Sequence, residues 1–172
     1  MARDPARHPV SSLDPIREAK RQWRRHGWDG PEHMAAATAI MRVQQIVLGA
    51  ADAALAPFGL TFSRYEALTL LFFTRHGALP LGKIGERLMV HHTSATNTID
   101  QLERAGLVQR VTDPSDRRRV LAAITDDGRR LVESATPALT EARFGLGSLN
   151  HADVRKLAEL LTRARAGVDL DI

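Results

Sequence analysis

The chain has 172 residues, of which 44% are hydrophobic, enough for one domain with a core and too many for a wholly disordered protein. Its net charge of +4 is too small to prove nucleic-acid binding, and its lack of cysteine excludes disulfides and thiolate metal sites. We expect no apolar run near the ~20 residues that span a bilayer and see no signal core, so we predict a cytoplasmic protein without membrane contact.

Helix start and stop signals divide the first half of the chain. Asp14 as an N-cap and Pro15 at the first helical position predict a helix ending near Arg25. Apolar residues at three- and four-residue steps predict a long second helix over 31–56. A third helix, capped by Thr61 or Ser63, is expected to end near residue 74.

The second half reads as two helices, a hairpin and two more helices. A short helix over 81–88 and a turn precede a helix over 92–105, which ends before a glycine. Two β-prone arms over 107–124 predict a hairpin. Thr125 then caps a helix running to about residue 144, and Asn150 with Asp153 resembles a capping box that starts the last helix.

The helix over 92–105 has a small, polar outer face. Ala95, Ile99 and Leu102 recur at steps of four and three and predict its buried side. We expect the short polar side chains on the other side to reach base edges or phosphates in a DNA groove. These candidate DNA-binding residues are His92, Thr93, Ser94, Thr96, Asn97 and Gln101. The alternative for any isolated helix is a solvated face, and for His91 we expect an ordinary turn residue.

The hairpin that follows carries three consecutive arginines at its tip. Arg117, Arg118 and Arg119 are candidates for the minor groove or its phosphates, because narrow grooves attract arginine. We expect Asp116 to hold one guanidinium in an ion pair, and Asp100 to pair with Arg104 four residues later. Seven arginines lie between 104 and 130 against four aspartates. The polar helix over 92–105 and the basic hairpin that follows it together indicate a DNA-binding protein.

Other functions find less support in the sequence. We find no Gly-rich phosphate loop, no His-Glu-x-x-His and no nucleophile elbow, so we predict no enzyme activity, no cofactor and no metal. A DNA-packaging protein would need more positive charge than +4. Two alternatives stay open: a DNA-binding protein with no small-molecule effector, and a protein-interaction module that clamps an acidic partner with the basic hairpin.

The predicted fold class is mainly α with a small β-hairpin, a winged helix-turn-helix dimerised through its N- and C-terminal helices. We expect a disordered tail over 1–12, dimerisation helices over 13–60 and 129–172, and a DNA-binding lobe over 61–128. The outer helices are amphipathic without an obvious partner in the lobe, so a homodimer is the simplest way to bury them.

Residues 60 to 135 resemble the MarR family of bacterial transcription regulators. The similarity rests on Asp116-Arg117-Arg118, Leu121, Ile124-Thr125 and Gly128, and on the stretch Leu102 to Val108 leaving the groove helix. The resemblance implies a homodimer, a palindromic operator on double-stranded DNA, and a small anionic or aromatic effector that relieves repression.

The extra first helix resembles that of the urate-responsive branch of the family. By that resemblance Trp23, Trp28, Glu66 and Arg110 are candidate effector-binding residues. The chain departs from the branch in two places, with Glu66 where an aspartate is usual and Thr98 where a second arginine is expected. The alternative for both tryptophans is hydrophobic packing in the dimer interface.

Overall fold

The computed structural model describes residues 14–166, except the side chain of Arg117; the predicted tail over 1–12 lies outside the described residues. The helices and strands follow in chain order. They are α1 (Pro15–Arg25), α2 (Pro31–Leu55), α3 (Phe62–Phe72), β1 (Ala78–Pro80), α4 (Leu81–Leu88), α5 (His92–Arg104), β2 (Val108–Asp113), β3 (Asp116–Ile124), α6 (Asp126–Glu141) and α7 (His151–Arg165). Short 3-10 turns follow α2 and α6.

Most helix starts are set by side-chain caps that the sequence predicts. Asp14, Thr61, Thr125 and Asn150 each accept a hydrogen bond from a backbone N–H in the first turn of the helix that follows. Such a bond satisfies one of the four backbone donors that a helix start leaves without a partner. The caps decide between the two alternatives for α3 in favour of Thr61.

The sheet has three strands rather than the two of a hairpin. β1 pairs antiparallel with β3, with Leu79 opposite Ala122, and the strand order is β1-β3-β2. The prediction of a hairpin alone was therefore incomplete. A three-residue strand that ends in proline is too short for period-two alternation to show in the sequence.

The chain divides into two compact units, one up to Ile46 and one from Val47 onward. The hydrophobic core lies in the second unit, under α3, α5 and the sheet. Its largest fully buried side chains are Leu55, Leu68, Leu71, Ile84, Ile99, Leu102, Leu139 and Val108. α5 thus packs with the same face that its sequence periodicity predicts.

α2 is more apolar than the sequence reading allowed. The stretch Pro31–Phe58 is long and apolar enough, by length and composition alone, to cross a bilayer, and only 6% of its most apolar window is buried. The expectation that no apolar run approaches that length was therefore wrong. The 3.6-residue periodicity predicts one apolar face of the helix, whereas the many alanines raise the mean hydropathy on all of its faces.

The passage from β3 into α6 leaves room for glycine only. A Cβ built on Gly128 would lie 2.3 Å from the carbonyl oxygen of Leu107 and 2.8 Å from Cγ1 of Ile124. Thr125 ties the same corner together, because its hydroxyl donates to the carbonyl of Gly106 at 2.8 Å and accepts from the N–H of Gly128 at 3.1 Å. The Ile-Thr-x-x-Gly pattern therefore has a steric cause.

We predict that Gly128→Ala lowers the free energy of unfolding by about 1–3 kcal/mol, the usual cost of forcing a methyl into a filled space. Chemical denaturation of the purified protein measures the change. The matched control is Gly82→Ala in α4, where an added Cβ meets nothing within 4 Å. Equal stability of the two variants would contradict the steric explanation.

Candidate nucleic-acid interface

α5 presents a polar face to solvent because its other face is fixed in the core. Ala95, Ile99 and Leu102 are buried, and burial of side chains such as the last two stabilises a fold by about 1.5–3 kcal/mol each. Five of the six predicted α5 contact residues are exposed. They are His92, Thr93, Ser94, Asn97 and Gln101.

Thr96 differs from the other five. Its hydroxyl oxygen is buried and has no hydrogen-bond partner among the described residues. A hydroxyl in that position cannot meet a base edge or a phosphate without a change of rotamer. The residue lies at the edge of the polar face, where a helical wheel does not decide between the two sides.

His91 is the N-cap of α5 rather than an ordinary turn residue. Its Nδ1 accepts a hydrogen bond from the backbone N–H of Thr93 at 3.3 Å. The sequence reading missed this role because histidine is not among the side chains that usually cap helices. The cap leaves the next residue, His92, exposed at the first position of α5.

The turn between α4 and α5 is tight. Gly85 lies against the start of α5, where an added Cβ would be in ordinary van der Waals contact with the carbonyl oxygen of Val90 at 3.4 Å and with Cβ of Ala95 at 3.6 Å. Met89 closes α4 in the left-handed conformation, with φ of 54°. Such a backbone is rare for a residue with a side chain, so the packing of the two helices must hold it in place.

Arg110 joins β2 to the carboxylates of α5. Its Nη2 donates to Oδ1 of Asp100 at 2.5 Å, and its Nη1 donates to Oε2 of Glu103 at 2.6 Å. The hydrogen bond to Asp100, followed by the charge of both carboxylates, raises the pKa of Arg110. The prediction of an ion pair between Asp100 and Arg104 was wrong, because the i,i+4 rule considers only neighbours along one helix and Asp100 pairs with Arg110 of β2 instead.

The tip of the hairpin is organised by Asp113. Its Oδ1 accepts hydrogen bonds from the backbone N–H and the hydroxyl of Ser115, at 2.8 Å and 2.6 Å. These bonds, chiefly the one from the hydroxyl, lower the pKa of the Asp113 carboxyl. The turn is thereby held by hydrogen bonds between Asp113 and Ser115.

The three arginines lie in an irregular part of the β2–β3 ladder. Thr112 is opposite Val120, but Asp113 is opposite Asp116, so the run 117–119 lies within the register shift. Such bulges redirect the side chains of the strand that carries the extra residues. Arg118 and Arg119 are exposed and form no ion pair among the described residues.

Asp116 does not form the ion pair that the sequence suggested with either of these two side chains. Its Oδ1 accepts a hydrogen bond from the backbone N–H of Arg118 at 3.0 Å. Asp116 therefore fixes the backbone at the start of the bulge. Both guanidinium groups, of Arg118 and Arg119, remain available to an anion.

A separate cleft of about 410 Å³ lies along α3. Its walls are mostly aromatic and aliphatic, and its volume lies within the range of small-molecule sites. The lining residues are Phe62, Tyr65, Glu66, Thr69, Leu70, Phe73, Leu88 and Phe144. One of the four predicted effector residues, Glu66, is therefore in a cleft of suitable size.

The polar groups of this cleft are few. Glu66 has a raised pKa because its surroundings partly exclude water from the carboxyl. The hydroxyl oxygen of Thr69 is buried and has no hydrogen-bond partner within residues 14–166. Among the described residues, no cationic side chain lines the cleft, and Arg110 donates instead to Asp100 and Glu103 of α5.

The two tryptophans pack against each other in the first unit. Their ring centroids are 4.9 Å apart in an edge-on arrangement, and the ring of His26 lies 5.2 Å from that of Trp28. Nε1 of Trp23 donates to the carbonyl of Asp29 at 2.9 Å. This cluster closes the turn between α1 and α2, which gives both rings a structural role within that unit.

A tight two-helix turn, an exposed polar second helix and a β-wing with a basic bulge define a winged helix-turn-helix protein. Residues 60–120 match the model of the MarR family. The chain is 34% identical over 137 residues to an uncharacterised HTH-type transcriptional regulator, YhbI, of Bacillus subtilis, and the match spans 75% of this chain and 83% of that protein.

Solved structures agree with this assignment. A MarR family transcriptional regulator from Streptomyces coelicolor is 51% identical, with a TM-score of 0.74 over 83% of this chain and 100% of its own. CouR from Rhodococcus jostii RHA1, solved bound to p-coumaroyl-CoA, is 31% identical, with a TM-score of 0.64 over 73% and 88%. The chain belongs to the MarR family of DNA-binding transcriptional regulators, which confirms the predicted fold and the prediction that it is not an enzyme.

We predict that Arg110→Ala speeds amide hydrogen exchange in β2 while changing the free energy of unfolding by less than about 1 kcal/mol. The pair is one-third exposed, and ion pairs in contact with water contribute little net stability. The removed bonds, however, join β2 to α5 directly.

The control for this measurement is Lys83→Ala, which breaks the exposed Lys83–Glu86 pair within α4. It should leave exchange in β2 unchanged. Unchanged exchange of β2 in Arg110→Ala as well would show that the ion pairs do not hold the wing.

Proposed function

We propose that this regulator binds a palindromic operator as a homodimer, as a repressor, and that an aromatic effector in the α3 cleft releases it. The observation that carries the DNA-binding part is the exposed polar face of α5, joined through Arg110 to a wing on which Arg118 and Arg119 form no ion pair with any described residue. Because Arg110 offsets one of their two negative charges, Asp100 and Glu103 repel phosphates less than two unpaired carboxylates would.

The two parts of this interface suit different targets on DNA. Asn97 and the hydroxyls of Thr93 and Ser94 are exposed on a slim helix that fits a major groove, where amides pair well with adenine. His92 and Gln101 flank them. Arg118 and Arg119 on the wing suit phosphates or a narrow minor groove, and Arg117 continues the same run.

Dimerisation is supported by the exposed apolar side chains of the outer helices. Within α2, Met41 is 61% exposed and Ile46 is 62% exposed, and Leu160 and Leu161 are exposed on α7. Faces of this kind are costly to leave in water and are the usual sign of a protein interface. A second copy covers them with two-fold symmetry, which accounts for a palindromic operator whose half-sites are about 34 Å apart.

The apolar side chains of α2 then belong to a protein interface. The protein itself would act in the cytoplasm, where the DNA is. Members of a DNA-binding family work where the chromosome is. The helix that could span a bilayer by composition then meets another helix in place of lipid.

For the effector, the cleft favours an uncharged aromatic molecule over an anion. Three phenylalanines supply apolar contact area: Phe62, Phe73 and Phe144. The hydroxyl of Thr69 has no hydrogen-bond partner among the described residues, and a polar group of the ligand could provide one. The carboxyl of Glu66, once ionised, repels an anion, and a polar amide or phenol can hydrogen-bond to it instead. Of the four predicted effector residues, Glu66 carries this proposal; Arg110 is engaged by α5.

The DNA-binding part is tested by two substitutions, with anisotropy titrations on the duplex upstream of its own gene. We expect Asn97→Ala to cost about 1–3 kcal/mol at particular base pairs and to relax the preference there. Arg118→Ala should weaken binding to all sequences and reduce the slope of log affinity against log salt by about 0.9 for each phosphate that Arg118 neutralises.

Arg155→Ala on α7 serves as the charge-matched control for Arg118→Ala and should leave both quantities unchanged. An unaltered salt slope in Arg118→Ala would rule out the wing as a phosphate contact. Failure of the wild-type protein to bind any duplex at low salt would favour a protein-interaction module instead.

The effector part is tested by thermal shift with two matched ligands, cinnamamide and cinnamate at equal concentration near pH 7. We expect the amide to raise the melting temperature more than the carboxylate, because a ligand that binds only the folded state stabilises it. In the Glu66→Gln variant, cinnamate should raise the melting temperature almost as much as cinnamamide does, because the carboxylate that repels cinnamate has been removed. Equal shifts from both ligands in both proteins would contradict a role for the charge of Glu66.

A further inference from the structure

The net positive charge of the chain resides at its N-terminal end. Residues 1–25 carry seven basic and three acidic side chains, whereas the remaining residues carry 17 of each. Residues 61–128, which include α5 and the wing, carry nine basic and eight acidic side chains. The segment that contains the proposed DNA-binding surface is therefore almost neutral overall, although phosphate attraction supplies much of the affinity of DNA-binding proteins.

The basic residues of α1 lie on one side of the helix. At 100° per residue, their five positions fall within an arc of about 140°. Ile16, Ala19 and Trp23 occupy a different sector, and Ile16 and Trp23 are partly buried. We call this arc the α1 basic face; it consists of Arg17, Lys20, Arg21, Arg24 and Arg25.

α1 is joined to α2 within its own unit by two ion pairs. Lys20 and Arg24 both reach Oε1 of Glu32 in α2, at 3.1 Å and 2.6 Å. These two contacts, Lys20 first, lower the pKa of the Glu32 carboxyl to about 2, so it remains ionised over the whole working range of pH. The hydrogen bond from Trp23 to Asp29 fixes the same end of α1.

The remaining basic side chains point into solvent. Arg17 and Arg25 are exposed and form no ion pair within residues 14–166. Arg21 contacts only Glu18 of its own helix and is 65% exposed. Three guanidinium groups on consecutive turns of a fixed helix therefore face water.

We infer that the α1 basic face is a second DNA-contacting surface, which binds backbone phosphates that flank the operator core. The inference rests on the proposed DNA binding by α5 and the wing, and adds phosphate contacts to those proposed for Arg118 and Arg119. Rows of arginine without aromatic or amide neighbours on the same arc suit phosphates, which give affinity without sequence preference. A lipid surface is a poorer match, because the apolar side chains of α1 are partly buried within its unit.

The test replaces the three solvent-facing arginines together, as Arg17→Gln, Arg21→Gln and Arg25→Gln. Glutamine has nearly the helix propensity of arginine, and the Lys20 and Arg24 contacts to Glu32 are kept, so α1 should stay folded. Circular dichroism checks this. The matched control removes three positive charges from α7, as Arg155→Gln, Lys156→Gln and Arg163→Gln.

Affinity is measured against salt on two duplexes, one limited to the operator core and one extended by about 15 base pairs on each side. On the long duplex, we expect the α1 variant to have a salt slope smaller by up to about 2.7 per protomer. On the short duplex, the α1 variant and the wild type should bind alike. The α7 variant should match the wild type on both.

Several outcomes overturn the inference. A salt slope equal to that of the wild type for the α1 variant on the long duplex would contradict it. An equal reduction of the salt slope in the α7 variant would also contradict it, because the effect would then reflect net charge alone. A defect of the same size on both duplexes would also contradict flanking contacts. If the wild type binds neither duplex, the proposed function itself fails, and that result is distinct from the others.

Discussion

The anchoring of α5 is the constraint on which the rest of this structure depends. Ile99 and Leu102 are fully buried and fix the helix in the core, where burial of each side chain contributes about 1.5–3 kcal/mol. Arg110 adds direction more than stability, because a partly exposed ion pair contributes little net free energy but allows few geometries. A groove-reading helix needs both, since its outer face can be polar only if its inner face is fixed.

The double contact of Arg110 also resolves an electrostatic conflict. A helix that approaches phosphates carries two carboxylates, Asp100 and Glu103, next to its contact face. One guanidinium offsets one of the two negative charges and at the same time joins the wing strand to the helix. The residue that the family resemblance suggested for an effector thus has a mechanical and electrostatic explanation within the lobe itself.

Outside the lobe, the helices divide two further tasks. α2 and α7 expose apolar side chains that suit a second copy of the chain, whereas α1 exposes positive charge. The separation has a physical basis, because an interface core excludes charges while phosphate contacts need them in water. The α3 cleft is mostly apolar, is lined by no cation among the residues that the structure describes, and contains the Glu66 carboxyl, whose pKa is raised by burial.

The sequence by itself determined the helices, the caps at Asp14, Thr61, Thr125 and Asn150, and the buried face of α5, because these features depend on residues within a few positions of one another. It also determined membership of the family through the wing pattern, and the steric corner at Gly128 explains one part of that pattern. Only the tertiary structure decided the pairing of Arg110, the inward hydroxyl of Thr96, the strand β1 and the bulge that holds the arginines. Each of these depends on which distant segments meet, and local periodicity carries no information about that meeting.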